Sequence, residues 1–132
     1  MEYKFPDDLK YLKTHEWARI EGDKATIGIT DYAQHQLGDI VYVELPEIGR
    51  TLEKESSAGE IESVKAVGEI MMPLSGEIIE INDIIIEKPE AINSSPYGNG
   101  WIIKIKVSNS NEVNELLSVE DYRKIVEEEE KE

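Results

Sequence analysis

Apolar and polar residues alternate in four short stretches of this chain: Ala25–Ile29, Ile40–Leu45, Glu77–Ile81 and Trp101–Val107. A period of two is the mark of a strand with one buried face. Isoleucine and valine dominate these stretches, as a pleated surface favours. Turn-forming residues separate them, at Glu21-Gly22-Asp23, Pro46-Glu47-Ile48-Gly49, Leu74-Ser75-Gly76 and Pro96-Tyr97-Gly98-Asn99-Gly100. Short, closely spaced strands with such punctuation predict a mainly β protein, a small barrel or sandwich.

Helical spacing occurs in two places. Thr30-Asp31 can cap a short helix through Tyr32–Leu37, with Gly38 as its stop. In the tail, Val113, Leu116 and Leu117 recur at helical spacing, and Tyr122, Ile125 and Val126 form a second apolar face behind a Ser118-x-x-Asp121 capping box. This predicts two short helices or one bent helix packed on the β core. The run from Glu127 to Glu132 carries one lysine among five glutamates, and its end, residues 129–132, is expected to fray. A weak internal repeat relates Leu37–Val43 to Leu74–Ile81, each a small turn followed by an alternating strand. The organisation expected is one domain over residues 1–132, with a β core at about 14–107 and a helical region at about 110–128.

The length of 132 residues suits one modest core. Twenty-nine acidic residues against 14 basic ones leave a formal net charge of −15, which argues against a nucleic-acid partner, since phosphate backbones demand clustered Lys and Arg. The same charge favours partners with basic docking surfaces. There is no cysteine, so disulfides, thiolate metal sites and cysteine nucleophiles are excluded. The stretch from Met1 to Asp8 has no apolar signal region, and the longest aliphatic cluster, Ile84-Ile85-Ile86, is far too short to span a bilayer. The expectation is a cytoplasmic protein with no membrane partner.

Few residues carry recognisable chemistry. His15 and His35 are the only histidines and lack metal-ligand spacing, so hydrogen-bonded or surface roles fit them better. Gly98-x-Gly100 lacks the third glycine of a dinucleotide fingerprint and precedes a strand, so it reads as a turn. Asn93-Ser94-Ser95 matches a glycosylation acceptor only formally. Lys65, in Ile61-Glu62-Ser63-Val64-Lys65-Ala66-Val67-Gly68, is a lone cation between small and β-branched residues. By composition it is a solvated surface lysine. Val64-Lys65 also lacks the Asn-Gly, Asp-Gly or leading glycine that a two-residue hairpin favours.

Taken in order, several segments resemble the H-protein family of the glycine cleavage system. They are Thr14–Trp17, Ile27–Gln34, Leu37–Pro46, Ile61–Ala66, Pro73–Glu77 and Ser95–Trp101, and their order and spacing match across roughly residues 10 to 107. The resemblance implies a barrel-sandwich hybrid in which two antiparallel sheets wrap one core. It implies a non-catalytic carrier in glycine catabolism and one-carbon metabolism, with lipoate attached to Lys65 as N6-lipoyllysine on an exposed hairpin. Its implied partners are a glycine decarboxylase (P protein) that loads an aminomethyl group, an aminomethyltransferase (T protein) that removes it, and a dihydrolipoamide dehydrogenase (L protein) that reoxidises the dithiol. Lipoate ligase or a lipoyl/octanoyl transferase would modify Lys65, reading Glu62, Ser63, Val64 and Ala66 around it.

In that family the loaded arm can fold into a cleft where a carboxylate pairs with the amine. The matching positions here are Glu16, and Glu69 as an assistant. The family often has a histidine where Gln36 stands, whereas here His35 lies one position earlier. Nearby alternatives are an H-like protein of lipoate relay and the biotinyl or 2-oxo-acid dehydrogenase lipoyl carriers. Biotin carriers flank their lysine with methionines, and the 2-oxo-acid dehydrogenase lipoyl domains usually place Asp before it, which Val64 and Ala66 do not match. A plain interaction module with an unmodified lysine is the reading from a different class.

Overall fold

The computed structural model describes residues 2–131. Nine strands run through them: β1 Lys10–Tyr11, β2 Glu16–Glu21, β3 Lys24–Ile29, β4 Ile40–Glu44, β5 Thr51–Leu52, β6 Ser57–Ser63, β7 Val67–Met71, β8 Gly76–Ile81 and β9 Ile103–Val107. They form two antiparallel sheets, a six-stranded one in the order β1-β2-β3-β9-β8-β5 and a three-stranded one in the order β4-β6-β7. The helices are α1 Asp31–Leu37, α2 Asp83–Glu87, α3 Ala91–Ser94 and α4 Val119–Glu130, with a 3-10 turn at Ser110–Glu115. The protein is thus mainly β, two sheets closed over one core of Ile, Leu, Val and Met side chains that includes Ile27, Ile40, Ile61, Ile70, Met72, Ile78 and Ile105.

The four alternating stretches all become strands, but the small sheet departs from simple alternation. In β4 the buried residues are Ile40 and Val43, three apart, while Val41 and Tyr42 both face out. A bulge between Ile40 and Tyr42 inserts the extra residue and resets the face. A second bulge, between Ser57 and Gly59, lets Ala58 and Ile61 of β6 point into the core together. Only glycine fits at position 59: its φ is +139°, and a Cβ would collide with the Glu44 carbonyl oxygen. The second of these offsets hides β6 from a period-two reading. β9 begins at Ile103 rather than Trp101, because the Trp101 N–H is taken by the Gly98 carbonyl in the preceding turn.

Helix α1 is capped as its sequence predicts: the Thr30 hydroxyl accepts the Ala33 N–H, and Gly38 closes the C-terminus with φ +81°. Helix α2, which no periodicity announced, starts where the buried Asn82 accepts the Ile84 N–H, and it buries only Ile85 of its three isoleucines. The tail divides into the 3-10 turn and α4. Between them Leu117 exchanges backbone hydrogen bonds with Tyr11 of β1. Ser118 caps α4 by accepting the Asp121 N–H. The apolar face of α4 closes a second, aromatic cluster of Phe5, Tyr11, Trp17, Tyr32 and Tyr122, with the Tyr11 and Tyr122 rings stacked at 4.7 Å. The helix continues to Glu130, past the expected end at 128. Its last turn is tied down by Glu129 to His15 and by Glu130 to the Tyr3 hydroxyl. Fraying expected at residue 132 falls outside the described residues.

Candidate functional site

Strands β6 and β7 form a hairpin whose tip is Val64-Lys65-Ala66, and all three tip residues are exposed. No residue of the tip has a positive φ, so the turn closes without glycine or asparagine. Ser63 takes over that role. Its N–H donates to the Ala66 carbonyl at 2.8 Å, and its hydroxyl accepts the N–H groups of Lys65 at 3.3 Å and Ala66 at 3.0 Å. The Val64 N–H donates to the Asp39 carbonyl at 3.0 Å, which fastens the tip to the entry of β4. The Lys65 stem lies across Gly38, where an added Cβ would sit 3.3 Å from Lys65 Cε. Val41, Tyr42, Val64 and Val67 surround the tip, each more than half exposed.

Beside the hairpin opens a cleft of about 300 Å³. One wall is the β1–β2 turn with Thr14, His15 and Glu16. Another is α1 with Tyr32, Ala33, Gln36 and Leu37. Ile61, Gly68 and Glu69 come from the hairpin, and Glu129 reaches in from α4. Among the described residues Glu16 is the one buried charged residue, only 1% exposed. The Thr14 hydroxyl donates to its Oε1 at 2.5 Å, and the Met71 N–H donates to its Oε2 at 2.9 Å. Burial pushes its carboxyl from the ordinary 4.5 up to about 7, and those two donors keep it from rising further. Glu69 lines the same cleft but is exposed.

His15 adopts the left-handed conformation, φ +82°. The bend turns its ring toward α4, where Nδ1 meets the Tyr122 hydroxyl at 2.8 Å and Nε2 lies 2.9 Å from Glu129. The Tyr122 hydroxyl also meets the Thr30 hydroxyl at 2.7 Å. One network therefore joins the cleft wall, the start of α1 and the last helix.

The structure gathers the residues singled out in sequence into one region. Lys65 stands at the tip with Ser63, Val64 and Ala66. Glu62 is exposed one residue before Ser63, and Glu16 and Glu69 share the cleft. Gln36 lines that cleft whereas His35 does not, and the imidazole there belongs to His15. Sequence reasoning missed Thr14, Tyr122 and Glu129 as partners of this site. Tyr122 and Glu129 stand 107 and 114 residues from His15 and leave no local pattern, whereas Thr14 lies two residues before Glu16, and only the fold shows that their side chains meet. Among the described residues no helix is long and apolar enough to cross a membrane.

Comparison with known proteins agrees along nearly the whole chain. A family model described as Glycine cleavage H-protein matches residues 9–129. A glycine cleavage system H protein of Rubrobacter xylanophilus is 52% identical over 127 residues, which is 96% of this chain and 98% of that protein. The one from Carboxydothermus hydrogenoformans is 50% identical over 124 residues, 94% of this chain and 95% of that one. A crystal structure of the glycine cleavage system H protein from Mycobacterium marinum superposes with a TM-score of 0.83 at 39% identity, covering 89% of this chain and 95% of that one.

Proposed function

Because this chain belongs to the glycine cleavage H-protein family, whose members are non-catalytic lipoyl carriers of the glycine cleavage system, we propose that its lipoyl group is carried on Lys65, in amide linkage to Nζ as N6-lipoyllysine. The observation that carries this reading is the placement of Lys65 at an exposed hairpin tip beside a cleft holding a buried carboxylate. Among the described residues no carboxylate lies within 4.0 Å of the Lys65 ammonium, so acylation breaks no ion pair. The bound dithiolane supplies a reducible disulfide to which a one-carbon amine unit can be transferred. The chain's own part is to hold the attachment point rigid at its base and to tether the arm, which raises its effective concentration at each partner.

Glu16 and Glu69 take the second role. A cation brought into the cleft by the arm meets the Glu16 carboxyl, whose two fixed donors already orient both oxygens. Pairing favours the ionised form of a group that burial alone would keep protonated near neutrality. Glu69 at the rim adds a second negative charge. Comparing spontaneous loss of the loaded amine unit in the wild type with Glu16→Ala tests this, and equal rates of loss would sink it.

The partners proposed are the glycine decarboxylase, the aminomethyltransferase, the dihydrolipoamide dehydrogenase, and a lipoate ligase or lipoyl/octanoyl transferase that reads Glu62, Ser63, Val64 and Ala66. The exposed Val41, Tyr42, Val64 and Val67 give those partners apolar contact around the tip, and the net charge of −15 suits basic rims. The proposed compartment is the cytoplasm. Incubation with lipoate ligase, lipoate and ATP, followed by intact mass, should give one lipoyl adduct on the wild type and none on Lys65→Arg. An adduct that persists in Lys65→Arg refutes the site. Support of glycine decarboxylation by the acylated protein then separates glycine cleavage from lipoate relay.

A further inference from the structure

We propose that Asn93 is a positioning residue for the carrier hairpin, its carboxamide clamping the Gly38–Ile40 segment on which the Val64 amide and the Lys65 stem rest. Asn93 lies in α3, 28 positions from the lysine in sequence and on a different element. Its Oδ1 accepts the Ile40 N–H at 2.9 Å, and its Nδ2 donates to the Gly38 carbonyl and to Gln34 Oε1, both at 2.9 Å. Three bonds thus hold the backbone on either side of Asp39 and the last turn of α1. Asp39 in turn accepts the Val64 N–H at 3.0 Å.

The segment needs such a clamp. Gly38 ends α1 in the left-handed region, and its carbonyl lies beyond the helical ladder. Ile40 pairs with Ser63, but the bulge before Tyr42 interrupts the ladder at once. Regular pairing of β4 with β6 beside the tip is therefore one residue deep, and the Asn93 side chain supplies the donor and acceptor that this pair of strands does not. The same bonds account for the formal Asn93-Ser94-Ser95 acceptor motif. Its amide nitrogen is already committed to two acceptors inside the fold.

A loosened platform leaves the tip partly out of its binding-competent pose. The modifying enzyme must then restore that pose on binding, which raises KM and leaves the chemical step alone. This inference rests on the reading of Lys65 as the attachment point, so its test has two independent arms. In Asn93→Ala, amide exchange at Val64 should accelerate by about tenfold, while Ala66, held by the Ser63 hydroxyl, and the core amide of Ile105 stay within about threefold of wild type. With lipoate ligase, lipoate and ATP, the KM for the protein should rise by about fivefold with kcat within about twofold. Asn93→Asp keeps the acceptor for Ile40 but loses both donors, and should shift Val64 exchange in the same direction. It carries the comparison if the alanine variant does not fold. Wild-type exchange at Val64 overturns the proposal, and so does an acceleration shared by Val64 and Ile105. If the wild type takes no lipoyl adduct, the attachment reading fails, while Val64 exchange still decides the role of Asn93.

Discussion

Replacing Glu16 by glutamine should remove a pH dependence from the folding stability of this protein. In the folded state the carboxyl sits at about 7, against an ordinary 4.5. The folded protein therefore retains a proton that the unfolded chain releases between those values, and stability falls as pH rises through this window. Each tenfold difference in proton affinity is worth about 1.4 kcal/mol. The group contributes a loss of about 1 kcal/mol at pH 5 and about 3 kcal/mol at pH 8, so the change across the interval is about 2–3 kcal/mol. No discount for solvent screening applies to a residue that is 1% exposed. Glutamine has the same shape: its carbonyl can accept the Met71 N–H while its amide donates to the Thr14 hydroxyl oxygen, which turns from donor to acceptor. Urea unfolding of both proteins at pH 5 and pH 8, at matched ionic strength, measures the effect. Glu16→Gln should gain about 2–3 kcal/mol on the wild type between the two pH values. A difference that is the same at both would mean that the buried carboxyl ionises like an exposed one, and would refute the reasoning.

Three further outcomes follow from the geometry. Ser63→Ala removes the acceptor for two tip amides and should cost about 1 kcal/mol in urea unfolding, with slower acylation of Lys65 by lipoate ligase. Gly38→Ala forces a side chain into φ +81° and brings its Cβ within 3.3 Å of Lys65 Cε. It should cost about 1–2 kcal/mol by the same measurement, and a substitution of no effect would show that the stem does not rest there. Tyr122→Phe leaves the buried Thr30 hydroxyl and His15 Nδ1 without their shared partner, and should lower stability by about 1–3 kcal/mol, whereas Glu129→Gln, at a half-exposed pair, should change it by less than about 1 kcal/mol.

The parts of the site that were legible in sequence are those whose chemistry is local. Thr30 and Gly38 mark the ends of α1 because a cap bonds within its own turn. Lys65 stood out through the ordered segments around it, and turn rules counted mildly against the hairpin that exists. They failed because Ser63 closes the turn with its side chain, which the rules for two-residue loops do not include. His15 was read as either a surface or a hydrogen-bonded histidine; the fold decides for the second, and its partners, Tyr122 and Glu129, lie on the last helix and could not be named from spacing. The bulges at Val41 and in β6 were illegible for a related reason. Alternation shows which residues could share a face, while an extra residue is revealed only by the strand across from it.

By itself, then, the chain determined a mainly β protein with capped helices, one distinctive lysine and a strongly acidic surface, since composition, period and capping act over a few residues. Tertiary structure decided the rest. Burying Glu16 beneath Thr14 and Met71 turned an ordinary carboxylate into one that holds its proton to about pH 7. Folding Asn93 against Gly38 and Ile40 gave the lysine hairpin its footing. Both depend on groups distant in sequence sharing a place from which water is largely excluded, and no local pattern records that.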